Sequence, residues 1–430
     1  MPAFDARRRL RGSRRESDTL ATSAGNWSVV EYKGRAALER LEADWRRLYS
    51  SMPLRTSAHL YEANLAYFDH LMASPEQYRC LALSDGRRVR AICPLEARAD
   101  TALGIPVAVW AIPHHPLTPV ADAICPDDDA RRVLMPAVAA FLRQNPEGRR
   151  LLVLGPAPPE SALWDGVRRM GPLGCCTHVT ELLDVFDCEK PFEEVMSRLT
   201  KHFRRNLRSH RNKLSRLEDV RFETAAEEDD LGPAFEAFLD IEAAGWKGEK
   251  GTRSAIRFKP NQPAFFRAVA STFDNGDRCE INALRVGGRC IASEFCLRTG
   301  VEYSRIKIGY DEDYARLGPG QLLMEATLER LYRDPNVKRF NMMSDSGWLE
   351  DWRPDKLALQ QAHVALGRWS GVPLVALLRL RFGRGRDIAR WLRRQYRSRR
   401  GARGHITSKA ELAPASPTGK TSPTTTGHSA

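Results

Sequence analysis

The stretch Lys307–Leu331, KIGYDEDYARLGPGQLLMEATLERL, gathers residue types that suit one kind of chemistry. A strand-like run ends at Asp311. A short turn then carries Arg316, Leu317, Gly318, Pro319, Gly320 and Gln321, and a helical pattern starts at once through Leu322. Glycine lets backbone approach a ligand closely and adopt positive φ. Proline suits the opening of a helix. The leading amides of a helix lack intrahelical partners and carry the positive end of its dipole. Arg316–Leu322 therefore read as a cradle for a pyrophosphate-like anion, with Arg316 as an added cation. An ordinary strand-to-helix turn is the alternative.

Titratable and aromatic side chains cluster nearby in sequence. Glu294 lies in the strand-like run Arg289–Arg298, sharing a face with Cys290, Ala292 and Cys296. A carboxylate between two mostly apolar faces must be paired, protonated or open to a cleft. It is the first candidate for proton transfer, against the reading of a structural ion pair with Arg305 or Lys307. Strict alternation along Glu302–Asp311 puts Tyr303, Arg305, Lys307, Gly309 and Asp311 on one side and Ser304, Ile306, Ile308 and Tyr310 on the other. Lys307 and Asp311 become further catalytic candidates, and Tyr303 and Tyr310 candidate substrate contacts. Trp246 and Lys247 precede Gly248 and are placed to close over a second substrate. Asp345 and Trp348 follow the last strand-like run, at the carboxyl edge where α/β sites form, and Asp345 is the second candidate base. His114 and His115 are adjacent and point opposite ways in extended chain, so no metal site is expected.

Positioning these groups takes alternating strands and helices. Tyr78–Arg98 reads as a hairpin around Asp85-Gly86. Val107–Ile112 and Arg150–Leu154 are strand-like. Between them, Ala130–Arg143 has helical spacing through Leu134, Val138 and Leu142. A second block repeats the logic. It has a helix over Phe235–Trp246, a hairpin over Arg278–Gly300, a third strand, a helix over Gln321–Tyr332 and a strand over Lys338–Met343. The expected fold is α/β in two copies of one architecture. The expected organisation is a basic N-terminus over 1–25, a first domain over 26–190, and a basic connecting helix over 191–220. A catalytic domain follows over 221–368, then a basic helical segment over 369–400 and a tail over 401–430. In the connecting helix Phe203, Leu207, Leu214 and Leu217 share one face, and Lys and Arg fill the rest. That pattern fits a solvated helix docked by its apolar stripe, or a grip on an anionic substrate.

Composition limits the function classes. The chain has 430 residues, 42% hydrophobic and 28% charged, enough for two packed domains. The net charge is +13, of which residues 1–18 contribute +3 and residues 379–403 the remaining +10. The body is neutral, so a nucleic-acid partner is not expected. The basic ends suit an anionic membrane surface. Nine cysteines at irregular spacing, without a C-x-x-C pair, argue against a zinc site or disulfide framework and fit a reducing cytoplasm. No run approaches a membrane span, and the arginine-rich start is not followed by a signal-peptide apolar core.

The order hairpin, strand, Gly-rich loop, helix, strand resembles the core of the GNAT acetyltransferases. Their loop has the form Q/R-x-x-G-x-G/A, which Arg316-Leu317-Gly318-Pro319-Gly320 approximates with one residue missing. Three runs together, FRRNLRSHRNKL, IEAAGWKGEKGT and YDEDYARLGPGQLL, look like the CelD/BcsL-type acetyltransferases. That family is associated with bacterial cellulose and exopolysaccharide and distantly related to the Fem peptidyltransferases. The resemblance implies tandem GNAT-like domains and acyl transfer from acetyl-CoA or another acyl-CoA, without a metal, to an amine or hydroxyl acceptor. It implies that Arg316–Leu322 hold the cofactor phosphates, that a strand amide stabilises the oxyanion, and that the protein is cytoplasmic or membrane-peripheral. Family members often read D-x-x-x-G-x-x-x-Y-K after the last core strand. Here Asn341 stands in place of the Asp, and the Tyr-Lys pair is absent. Two other readings stay open: a Fem-like transferase using charged tRNA, and a non-catalytic envelope-assembly protein.

Overall fold

Strands and helices alternate along the chain as the hydrophobic spacing predicts. The first half contains β1 (Ser28–Lys33), α1 (Arg35–Ser50), α2 (Tyr61–Ala66), β2 (Tyr78–Ser84), β3 (Val89–Ala102), β4 (Ile105–Ala111), α3 (Asp128–Gln144), β5 (Leu151–Ala157), α4 (Leu163–Arg169) and β6 (Cys175–Asp187). The second contains α5 (Phe192–Arg198), α6 (Lys201–Leu214), β7 (Val220–Ala225), α7 (Glu228–Glu242), α8 (Gln262–Ala270), β8 (Arg278–Val286), β9 (Arg289–Thr299), β10 (Glu302–Tyr310), α9 (Pro319–Tyr332), β11 (Arg339–Asn341) and β12 (Asp355–Ala365). This computed structural model describes residues 27–382, apart from 103, 172, 173, 227, 246, 250 and 272–275. The expected basic N-terminus and tail, and most of the 369–400 segment, lie outside the described residues.

Each element follows from local sequence. Helix α3 starts where the Asp127 carboxylate accepts the Ala130 amide at 2.9 Å, and its Leu134, Val138 and Leu142 stripe is buried. Strand β9 is buried from Cys290 to Thr299, as apolar residues on both faces require. Helix α6 is capped by the Thr200 hydroxyl and buries Phe203, Leu207 and Leu214. It stops at Leu214, so Leu217 does not join the stripe and is 38% exposed. All nine cysteines are buried, and none is in a disulfide.

The strands join one 12-stranded mixed sheet in the order β1-β2-β3-β4-β5-β12-β6-β11-β10-β9-β8-β7. Both halves repeat a plan: antiparallel neighbours, then a parallel pair joined through a helix. The pairs are β4–β5 through α3 and β10–β11 through α9. At the centre, β12 pairs antiparallel with both β5 and β6, and β6 pairs with β11. The last strand of the second half is thus enclosed by strands of the first. The chain divides into two compact units, Met1–Ala376 and Leu377–Ala430. In the second of these, the described residues 377–382 are helical. Among the described residues, no helix is long and apolar enough to cross a membrane.

Candidate active site

Strand β10 pairs with β11 only through Glu302–Ser304 against Arg339–Asn341. Beyond Ser304 the two strands part, and among the described residues no strand pairs with that edge of β10. On the opposite edge β10 stays paired with β9, but the register shifts between Arg305 and Lys307. This bulge places an extra residue in β10 and reverses the facing of everything after it. The strict alternation expected from sequence therefore fails. Arg305 lies opposite Cys296 but Lys307 opposite Phe295, so the two side chains take opposite faces.

A cavity of about 520 Å3 lies along the open edge, walled by Ile308, Gly309 and Tyr310 of β10. Its floor is the loop at Gly318, Pro319, Gly320 and Gln321. Gly318 has φ 62°, which glycine adopts without strain, and it forms the N-cap of α9. A Cβ on Gly320 would meet nothing closer than Tyr310 Cδ1 at 3.7 Å, so this backbone is open to a ligand. The anion cradle is narrower than the sequence suggests. Gln321 and Leu322 both donate their amides to the Gly318 carbonyl at 3.0 Å, and Pro319 has no amide. Gly320 supplies the remaining leading amide. Leu322 is buried in the core, and neither Arg316 nor Leu317 lines the cavity.

The far wall comes from the end of α7. A Cβ on Gly309 would lie 2.7 Å from Glu242 Cα, so glycine there is what lets the helix end pass over β10. Glu242 is 4% exposed yet lines the cavity. Its Oε2 accepts the Ile256 amide at 2.8 Å, and its Oε1 accepts from Lys247 Nζ at 3.1 Å. Lys247 Nζ also reaches the Ile308 carbonyl at 3.4 Å. A lysine is thus held at the open strand edge by a buried carboxylate. Lys307, an expected catalytic residue, does not line the cavity but feels the charges of Lys247 and Glu242. Its burial, and secondarily the Lys247 charge, push its ammonium below the ordinary lysine range. Gly248 makes the turn that returns Lys247, since a Cβ there would meet the Ala243 carbonyl at 2.1 Å.

Of the expected site residues, the structure brings together Lys247, Tyr310, Gly318, Pro319, Gly320, Gln321 and Trp348 around this cavity. Trp246 lies outside the described residues. Four expectations need correction. Glu294 does not reach the cavity. It is fully buried and receives hydrogen bonds from Thr327 at 2.6 Å, Asn282 at 2.8 Å and Arg305 at 3.3 Å, the closed ion pair that was its alternative reading. Tyr303 belongs to the same network, its hydroxyl within 2.9 Å of both Asn282 and Arg330. Asp311 caps the turn before Gly318 by accepting the Asp313 amide at 3.0 Å, and pairs with Arg289. Asp345 is exposed and paired with Lys356 at 2.7 Å. Sequence reasoning missed Glu242, Ile308 and His210. His210 sits on the 203, 207, 214 stripe, and that spacing marks it as inward-facing.

Residues 201–349, which contain this whole site, match the family model of the acetyltransferase (GNAT) domain. Among solved structures, FemX aligns with TM-score 0.50 at 8% identity, over 75% of this chain and 95% of that one. L-PGS from Bacillus licheniformis aligns with TM-score 0.47 at 14% identity, over 80% and 97%. A tandem GNAT protein from the clavulanic acid biosynthesis pathway aligns with TM-score 0.42 at 11% identity, over 79% and 99%. The alignment with FemX is a likeness of fold alone. A search of curated proteins gives no match. The matched stretch lies in the second half of the sheet, and Gly318–Gln321 are the part of the expected cofactor cradle that lines the cavity.

Proposed function

We propose that this GNAT domain transfers an acyl group from an acyl-CoA, acetyl-CoA first, to an amine or hydroxyl acceptor. The observation that carries the reading is the cavity joining the open edge of β10 to the Gly318–Gln321 loop. The cavity is lined both by the loop and by the β10 edge, and Gly320 leaves backbone open at the loop end. Acyl-CoA, when bound, supplies an acyl group activated as a thioester. The Gly320 amide faces its phosphates. Lys247, oriented by Glu242, presents a cation at Ile308, where negative charge develops on oxygen during acyl transfer. Lys307 takes the acceptor's proton, a role that a lowered lysine pKa favours. Trp348, whose ring lies 4.9 Å from the Arg305 guanidinium, lines the side from which the acceptor enters.

The motif resemblance supports an acceptor in cellulose, exopolysaccharide or envelope metabolism. The basic charge of 379–403 supports cytoplasmic work beside an anionic membrane. A Fem-like use of charged tRNA draws on a different observation, the exposed Lys and Arg residues of α6. It requires tRNA binding that weakens steeply with salt. Calorimetry of acetyl-CoA against the intact chain and Gly320→Asp tests the first reading. Micromolar binding lost in the variant supports it, and no binding by the folded protein rejects it.

A further inference from the structure

Helix α1 pairs three of its four arginines with acids, namely Arg35, Arg46 and Arg47. Helix α6 does the opposite. Residues 199–217 carry seven Lys or Arg and no acid. Among the described residues, only Arg211 of these seven meets a carboxylate, Glu325 at 3.7 Å. Lys213 reaches a neutral acceptor, the Arg316 carbonyl oxygen, at 3.4 Å. Lys201, Arg204, Arg205, Arg208 and Arg216 are all exposed. Spacing of three and four residues sets Lys201, Arg204, Arg205 and Arg208 on one outer face of the helix. On the opposite face Phe203 and Leu207 join the core cluster of Met324 and Leu328 in α9.

Two exposed apolar side chains follow the helix end. Leu217 is 38% exposed, and Phe222 of β7 is 49% exposed. Val220 packs on the cluster that holds Leu214 of α6 and Leu284 of β8. Phe222 is two residues further along and opposite Leu284, so it takes that same face of the sheet. Cations bordered by exposed leucine and phenylalanine suit a lipid interface. The charges meet anionic head groups, and the apolar tips enter the boundary with the acyl chains. A phosphate backbone rewards the cations but not the leucine.

We infer that this face, α6 with Leu217 and Phe222, docks on an anionic lipid bilayer. The inference rests on the membrane reading above, which draws only on residues 379–403, and adds a second contact beside the candidate active site. His210 of the same helix lines the cavity, so the docked protein holds its cavity at the lipid surface. The basic character of α6 then serves head groups and not a nucleic-acid backbone.

The test is co-sedimentation of the full chain with vesicles of phosphatidylcholine and phosphatidylglycerol in a ratio of about 3:1, beside binding of tRNA in the same buffer. Two variants are compared with the intact chain, Arg204→Gln/Arg205→Gln/Arg208→Gln and Leu217→Ser/Phe222→Ser, with thermal melts to confirm folding. The charge variant is expected to bind the vesicles about a hundredfold more weakly, at about fivefold per cation near the surface. The apolar variant is expected to lose about tenfold on vesicles and nothing on tRNA. A charge variant that binds vesicles as tightly as the intact chain overturns the inference and leaves residues 379–403 as the sole anchor. Unchanged vesicle binding by the apolar variant also overturns it, and a loss of tRNA binding in the charge variant then assigns α6 to RNA. Failure of the intact chain to bind these vesicles removes both this inference and the membrane reading.

Discussion

The two halves of the sheet solve the same connection differently. Each runs from a strand through a connection and a helix to a parallel partner strand, β4 to α3 to β5 and β10 to α9 to β11. In the second half the connection is a capped turn and one left-handed glycine, and a cavity is left beside β10. In the first half residues 112–127 bridge β3 and β5, and the cavity there, about 530 Å3, lies elsewhere, beside Glu96, Arg98 and Ala108. The Ala121 amide donates to the Pro156 carbonyl at 2.7 Å, and Ile124 and Ile92 exchange backbone hydrogen bonds at 2.9 Å. Asp122 anchors this segment, accepting from Ser161 at 2.6 Å and lying 3.3 Å from His59 Nε2, all three buried. β10 meets its parallel partner at its first residues and β4 at its last, so strand pairing and connection together decide whether an open edge is left.

The comparison can be broken in several places. The largest effect is expected at Lys247. Lys247→Ala should lower kcat by about 10²–10³-fold, as loss of one charge-stabilising donor does, with a much smaller change in acetyl-CoA affinity by calorimetry. A kcat within a few-fold of the intact enzyme would take Lys247 out of the reacting end. In the first half, Asp122→Ala should cost about 2–4 kcal/mol in urea unfolding, because it leaves buried partners unpaired. Cofactor affinity should stay within about twofold. A loss of affinity without a loss of stability would mean that the first half holds ligand after all. Glu294→Gln keeps shape but breaks the pair with Arg305, so stability should fall by about 3 kcal/mol while turnover of the folded fraction is largely retained. A collapse of turnover in a stable variant would return Glu294 to the role of base.

The smallest effect on stability is a pH dependence. The Lys307 ammonium loses its proton below the ordinary value of 10.5 because it is buried and faces Lys247. Between that lowered value and 10.5 the unfolded chain holds more protons than the folded one, so folding stability rises with pH across this window. Lys307→Met should remove the rise. It should also flatten the alkaline increase of kcat/KM that a lysine base produces. An unchanged profile in the variant would assign the proton transfer elsewhere.

Legibility in the sequence followed periodicity. The hairpins, α3, α9 and the glycine loop all declared themselves through spacing of two or 3.6 residues and through turn chemistry. The central strands β6 and β12 are harder to read. Thr177, Thr180, Glu181 and Leu182 of β6 are exposed, and its polar middle breaks the apolar pattern that marks a core strand. The β10 bulge is one residue of register, which leaves no compositional trace but moves Lys307 away from Arg305. Glu294 looked catalytic because a lone carboxylate in an apolar strand has two explanations. Only the tertiary arrangement, with Thr327 and Asn282 reaching it from α9 and β8, chooses between them. Glu242 was hidden at the end of a helix, since its partners Lys247 and Ile256 arrive from the loop that follows.

Amide hydrogen exchange by mass spectrometry, with and without saturating acetyl-CoA, tests the contrast between the halves most directly. The account predicts slowed exchange over residues 305–322 and the C-terminal turn of α6, with residues 107–127 unchanged. Protection over 107–127, or none anywhere in the folded protein, would contradict it.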